Sequence, residues 1–225
     1  MRGQGGWYHR PNEKKIVVLV SGRGTNMAAL LEACTTLRWD ARITAVVSDR
    51  EEAPACQIAQ SFGVRAVVVA RRGFATRLAF DDALGEQLEA LAPDLVVLAG
   101  FMQILPGRLV ARFQSRMLNI HPSLLPVFPG LDTHRRVLES GARIHGATVH
   151  YVIPELDAGP IVVQAALPVL PHDDEPSLAA RVLVAEHHIL PLAVGWHLRG
   201  RLRIDGPRVV LEAPGPAESQ LLWLP

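Results

Sequence analysis

The run Ile16-Val-Val-Leu-Val20, followed at once by Ser21-Gly-Arg-Gly24, restricts the possible folds more than any other part of this sequence. Five apolar residues without alternation make a strand with no wet face, and such strands belong to parallel sheets covered on both sides. The glycines let the chain turn sharply. Met27, Leu30, Leu31 and Cys34 then recur at i, i+3, i+4 and i+7, the apolar stripe of a helix. Strand-like runs return at 43–47, 66–69 and 95–99, with helix-compatible segments between them. This alternation predicts an α/β fold with a doubly wound, mainly parallel sheet.

The second half reads differently. Runs 148–152 and 161–170 look like longer strands joined by a turn at Asp157-Ala-Gly-Pro160, which predicts an antiparallel C-terminal extension. A helix is expected from about Ser177, with Leu178, Val182, Ala185 and Ile189 on one face and a break or kink at Pro191. Segments 201–204 and 208–211 read as a hairpin around Gly206-Pro207. Residues 1–14 read as a flexible N-terminal extension, 15–212 as one domain and 213–225 as a C-terminal surface tail. With 225 residues, 49% of them hydrophobic, the chain can bury a sizeable core. A formal charge of +1 argues against an extended nucleic-acid surface. No apolar run is expected to reach membrane-spanning length, so no membrane association is expected. Cys34 and Cys56 lack metal-type spacing and fit free thiols in a reducing, cytoplasmic setting. A homodimer is left open.

Chemistry is concentrated in Met117-Leu-Asn-Ile-His-Pro-Ser-Leu-Leu-Pro126. Apolar Leu118 and Ile120 alternate with Asn119 and His121, a strand pattern that puts the two polar side chains on one face. Pro122 should end the strand, leaving the pair at its carboxyl end, where open α/β sheets bind ligands. An amide donor beside an imidazole suits a site that stabilises an oxyanion and moves a proton. The alternative is a strand end with two polar tips in water.

The loop Ser21-Gly-Arg-Gly-Thr-Asn26 offers free amides at a helix start, which attract phosphate, with Thr25 or Asn26 as the cap. It is not a P-loop, because no Gly-Lys-Ser/Thr follows. Met27 stands where the third glycine of a dinucleotide fingerprint belongs, although Asp49 imitates that fingerprint's ribose-binding acid. A tight βα turn without ligand is the other reading. Asp157 orders only its own turn unless that turn folds back over His121, where a carboxylate would favour the charged ring. His150 reads as a strand residue that finds a hydrogen-bond partner, and His187 and His188 as helix-surface residues. His172-Asp-Asp-Glu175 reads as a helix cap rather than a metal box, and no metal is expected.

In order along the chain stand Ile16-Val-Val-Leu-Val-Ser-Gly-Arg-Gly-Thr-Asn26, Leu98-Ala-Gly-Phe-Met-Gln-Ile-Leu105, Asn119-Ile-His-Pro-Ser-Leu-Leu-Pro126 and Leu156-Asp-Ala-Gly-Pro160. Together they resemble the phosphoribosylglycinamide formyltransferases, the folate-dependent transformylases of purine synthesis. The first loop and Phe128-Pro-Gly-Leu-Asp-Thr-His134 point to this member among formyl-transferring relatives. The resemblance implies a Rossmann-like formyltransferase fold. It also implies transfer of the formyl group of 10-formyltetrahydrofolate, a co-substrate, to the amine of 5-phosphoribosylglycinamide on the route to IMP.

The catalytic trio implied by the resemblance is Asn119, His121 and Asp157. Gly24, Thr25 and Asn26 would hold the phosphoribosyl group by its phosphate end. Glu186 would contact the glycinamide part, with Leu183, Val184 and Ala185 lining the same wall. Met102, Gln103, Ile104 and Leu105 would frame the folate with Asn119 and with Ile153, Pro154, Glu155, Leu156 and Asp157. Arg77 would lie near the folate tail. Gln103 stands where many relatives carry a basic residue, which weakens the expectation of a charge contact there. A cis Leu125–Pro126 bond is also implied. Two other classes compete: a nicotinamide-linked oxidoreductase, from the glycine loop plus Asp49, and a non-catalytic phosphate- or folate-binding module.

Overall fold

The computed structural model describes residues 13–37 and 39–215. Its strands are β1 (Lys14–Val20), β2 (Ala41–Ser48), β3 (Arg65–Val68), β4 (Leu95–Leu98), β5 (Met117–His121), β6 (Ile144–Tyr151), β7 (Ile161–Pro168), β8 (Leu202–Asp205) and β9 (Arg208–Leu211). They form one sheet in the order β3-β2-β1-β4-β5-β6-β7-β9-β8. Strands β3, β2, β1, β4 and β5 are parallel, and β6 and β7 then run antiparallel to their neighbours. The β8–β9 hairpin joins the sheet through the single pair Ile161↔Arg208. The expected doubly wound sheet with an antiparallel C-terminal side is therefore present.

Helices α1 (Thr25–Thr36), α2 (Pro54–Ser61), α3 (Arg77–Leu91), α4 (Gly107–Arg112), α5 (Thr133–Ser140) and α6 (Glu175–Leu198) cover the sheet. The unbroken apolar run of β1 explains its central place. Ile16, Val18 and Val20 pack with Met27, Leu30 and Leu31 of α1 and with Leu178, Val182 and Ile189 of α6. Val17 and Leu19 face the opposite layer, against Phe80, Leu84 and Leu88 of α3 and Leu109 of α4. Each such buried side chain contributes about 1.5–3 kcal/mol. Strand β1 sits between β2 and β4. The chain winds away in opposite directions on its two sides, so the loops after β1 and β4 diverge and leave a crevice at the strands' carboxyl ends.

Several expectations are corrected. Helix α6 runs unbroken through Pro191 to Leu198. Its flanks, including Leu190, Ala193 and Val194, are buried in the core, and that packing outweighs the hydrogen bond a proline cannot make. The same helix is long and apolar enough to cross a membrane by length and composition, contrary to the sequence reading. Here its apolar side chains pack on the sheet instead. Lys14 already belongs to β1, and its Nζ donates to the Leu198 carbonyl at 2.7 Å. The rest of the expected N-terminal extension, residues 1–12, and most of the expected tail, residues 216–225, lie outside the described residues.

Candidate active site

Strand β5 stops at His121 because Pro122 has no N–H to extend the ladder. Asn119 and His121 share a face and open into a cleft of about 700 Å³ at the carboxyl end of the sheet. His121 Nε2 lies 3.1 Å from the Phe128 carbonyl, which only accepts, so this nitrogen carries a proton. Ser123 Oγ, itself buried, steadies the same carbonyl at 3.0 Å. On the other side of the ring, Nδ1 is 3.5 Å from Asp157 Oδ2. A carboxylate also only accepts, so any hydrogen bond between the two has to come from an Nδ1–H.

The segment after β6 does fold back over His121. Asp157 adopts a left-handed backbone, φ 52°, and its Oδ2 accepts the Gly130 N–H at 2.8 Å. Two residues on, Gly159 lies so close to β6 that a Cβ there would come within 1.7 Å of the Tyr151 carbonyl oxygen. Only glycine permits that approach, and the approach carries Asp157 into the cleft.

His150, on β6 opposite Asn119, finds its hydrogen-bond partners but also faces the cleft. Its Nδ1 must donate to the Tyr151 carbonyl at 2.9 Å. Burial holds the ring below its ordinary pKa of 6.5 and hence neutral, leaving Nε2 as an acceptor. The Asn119 Nδ2 lies 3.0 Å from that Nε2 and so donates to it. This contact fixes which way the Asn119 amide points and leaves its second N–H for a ligand. His134 is a further cleft residue that sequence reasoning passed over, apart from quoting it at the end of a motif. It lies 3.1 Å from the buried His145, whose pKa burial pushes down to about 4.

The glycine loop borders the other end of the cleft. Gly24, not Thr25 or Asn26, is the N-cap of α1, with φ 76° and no side-chain cap bond. Thr25 is the first helical residue, and Asn26 is committed elsewhere: its Nδ2 donates to Glu186 Oε2 at 2.7 Å. A Cβ on Gly24 would meet Ala55 Cβ at 2.6 Å, so the glycine is required by α2 as well as by the backbone turn. Glu186 is buried on α6, and burial raises its carboxyl pKa, countered in part by the Asn26 bond. Of its expected companions, only Leu183 lines the cleft. Val184 is 70% exposed and Ala185 lies in the core. At 100° per residue, 183 and 186 share a face, whereas 184 and 185 turn away from it.

The third wall is formed by Met102, Gln103, Ile104 and Leu105 and by residues 153–157. Gln103 Nε2 donates to Asp49 at 2.7 Å, while its Oε1 accepts from Arg77 at 3.2 Å. Arg77 also pairs with Asp81 and donates to the Ile104 carbonyl, beside the cleft rather than in its lining. Buried Asp49 is thus engaged with Gln103 and is not a lining residue. The two walls are joined: Ser21 N–H donates to the Gly100 carbonyl and Met102 N–H donates to Ser21 Oγ. The Leu125–Pro126 bond is cis. Asp174 caps α6 through a reciprocal box with Ser177, which accounts for the acidic run before that helix. His187 is half-buried rather than on the surface, and its pKa is lowered by burial. Among the described residues, no group of three His, Cys, Asp or Glu side chains could hold a metal ion.

Fold and site together are those of a group-transfer enzyme of the doubly wound α/β class. Residues 14–194 match the formyl transferase family. A phosphoribosylglycinamide formyltransferase of Escherichia coli (strain K12) is 44% identical over 201 residues, covering 86% of this chain and 95% of that one. The crystal structure of glycinamide ribonucleotide transformylase 1 from Symbiobacterium toebii superposes with a TM-score of 0.87 at 43% identity, covering 92% and 98%. The trifunctional purine biosynthetic protein adenosine-3 of Bos taurus is 39% identical over 195 residues, 87% of this chain and 19% of that protein. The chain belongs to the formyl transferase family, among the phosphoribosylglycinamide formyltransferases.

Proposed function

We propose that the protein transfers the formyl group of 10-formyltetrahydrofolate to the amine of 5-phosphoribosylglycinamide. The products are formylglycinamide ribonucleotide and tetrahydrofolate, in purine biosynthesis. The observation that carries this reading is the convergence of Asn119, His121 and Asp157 between the glycine loop and the 102–105 wall. In this reading the ribonucleotide lies along the glycine loop with its amine toward Glu186. The folate lies between residues 102–105 and 153–157, and its tail leaves toward Arg77.

The amine nitrogen attacks the formyl carbon, and the carbonyl electrons move onto oxygen. The free N–H of Asn119 donates to that oxyanion, and a protonated His121, whose two nitrogens face the Phe128 carbonyl and Asp157, stabilises it by its charge. The amine loses one proton, for which Asp157 is the nearby base, directly or through water. Collapse breaks the bond from the formyl carbon to the folate nitrogen, which takes up a proton as it leaves. Holding both reactants in one cleft supplies a large part of the acceleration by orientation alone. The free thiols of Cys34 and Cys56 support a reducing, cytoplasmic setting.

Purified protein mixed with both substrates should release tetrahydrofolate in step with formylated ribonucleotide. Absence of turnover with both ligands bound would favour the non-catalytic module. The oxidoreductase reading loses its sequence support at Asp49, which is held by Gln103.

A further inference from the structure

Charge is distributed unevenly in the cleft. Five carboxylates line it, from Asp132, Glu155, Asp157, Glu175 and Glu186, whereas Arg23 is the one Lys or Arg among its described lining residues. Helix α6 contributes Glu175, Ala179, Leu183 and Glu186, none of which offers a cation. Arg23 is exposed and makes no hydrogen bond or ion pair with the described residues, so its guanidinium is free to serve a ligand. Beside it α1 begins without a side-chain cap, leaving its first N–H groups open. A second, independent mark of a ligand is Asn26. It lines the cleft and is only 8% exposed; its Nδ2 is taken by Glu186, and its Oδ1 is buried without a partner. Leaving such an oxygen unpaired costs about 1–3 kcal/mol. A ribose hydroxyl is a donor of the kind that would satisfy it.

We propose that Arg23 is the cation that pairs with the substrate's phosphate, and that it sets the preference for phosphorylated over unphosphorylated glycinamide ribosides. The proposal rests on reading the cleft as a ribonucleotide site. Of the five carboxylates Asp132 is paired with Arg135 and Asp157 faces His121; the others repel an entering phosphate dianion, and a helix terminus offsets that with only about half an elementary charge. A guanidinium adds a full charge and a forked pair of donors matched to phosphate oxygens. Its place at the tip of the loop lets it reach the phosphate without displacing the backbone amides.

The test compares 5-phosphoribosylglycinamide with glycinamide riboside, which has a hydroxyl in place of the phosphate, in wild type, Arg23→Ala and Arg23→Lys. Arg23→Ala should raise KM for the phosphorylated substrate about 10- to 100-fold while kcat stays within about twofold. The ratio of kcat/KM between the two substrates should shrink by the same factor, and Arg23→Lys should recover part of it. The melting temperature should not change, because Arg23 bonds to nothing described. Equal changes for both substrates, or no change in KM, would overturn the proposal. Wild-type protein that turns over neither substrate would overturn the functional reading and the proposal with it.

Discussion

His121 and His150 stand on neighbouring antiparallel strands and flank the same carboxylate, at 3.5 Å and 3.9 Å, yet their rings meet opposite kinds of partner. Each ring spends one N–H on a backbone carbonyl, Phe128 for His121 and Tyr151 for His150. What meets the other nitrogen decides the rest. His121 meets a carboxylate oxygen, which only accepts, whereas His150 meets the Asn119 amide, which donates. The backbone therefore fixes each ring's orientation, and one side chain opposite sets what its second nitrogen must do. In the reaction proposed above, the first ring pairs with the carboxylate and the second aims the Asn119 donor.

The largest expected effect comes from removing that carboxylate. Asp157→Asn keeps the size but not the charge, and kcat should fall by about 10³-fold or more, with both KM values changing far less. His121→Asn should do the same, and the double variant should be little worse than either alone, as expected of groups acting together. Near-normal turnover in Asp157→Asn would dissolve the contrast and leave Asp157 as a turn residue.

His150→Ala should lower kcat by about 10- to 100-fold, because Asn119 loses the acceptor that aims it. His150→Gln, which keeps an acceptor, should recover part of the loss. Nitrogen NMR should find His150 neutral with its proton on Nδ1. A proton on Nε2 instead would remove the argument for the Asn119 orientation.

Glu186→Gln should weaken ribonucleotide binding about tenfold and leave folate binding unchanged. It should also alter stability. The carboxyl ionises near 4.5 in the unfolded chain and only at higher pH in the folded protein. Between those two values the folded state holds the extra proton, so stability falls as pH rises and stays lower above the window. Relative to wild type, the glutamine variant should gain about 1 kcal/mol above neutral pH, read from denaturant melts. A variant that is less stable there would mean that the Asn26 contact outweighs the burial cost.

The smallest effect is spread over several rings. Burial lowers His150 below 6.5 and takes His145 and His197 to about 4. An unfolded histidine gains its proton below about 6.5 while these stay neutral, so their contribution is complete above that pH and is lost as pH falls toward 4. Each ring contributes at most about 1.4 kcal/mol per pH unit. His145→Gln should make the melting temperature less sensitive to acid between pH 6.5 and 4. An unchanged acid slope would assign the loss to other groups.

Local patterns made the β5 end legible, since alternation and Pro122 suffice to pair Asn119 with His121. The arrival of Asp157 is a different kind of event. It depends on Gly159 closing onto β6 and on the Gly130 amide, contacts whose partners are distant in sequence and carry no periodic signal. Gln103 was legible as a departure, but its bridging of Asp49 and Arg77 was not, because that requires knowing which loops leave the sheet together. The place of Val184 and Ala185 outside the cleft lining was legible too, since helical spacing alone separates them from Leu183 and Glu186. The break expected near Pro191 is absent for the opposite reason: a local rule gave way to burial on both flanks.

The Gly130–Asp157 hydrogen bond also bears on how the cleft exchanges its contents. It ties two segments of the cleft rim, 130–134 and 152–157, while Ser21 fastens the glycine loop to the 100–102 segment. Any separation of these two rim segments parts that bond. Parting it also withdraws the support that keeps Asp157 against His121. A cleft opened there would therefore be without the carboxylate that could turn a water molecule against the formyl group.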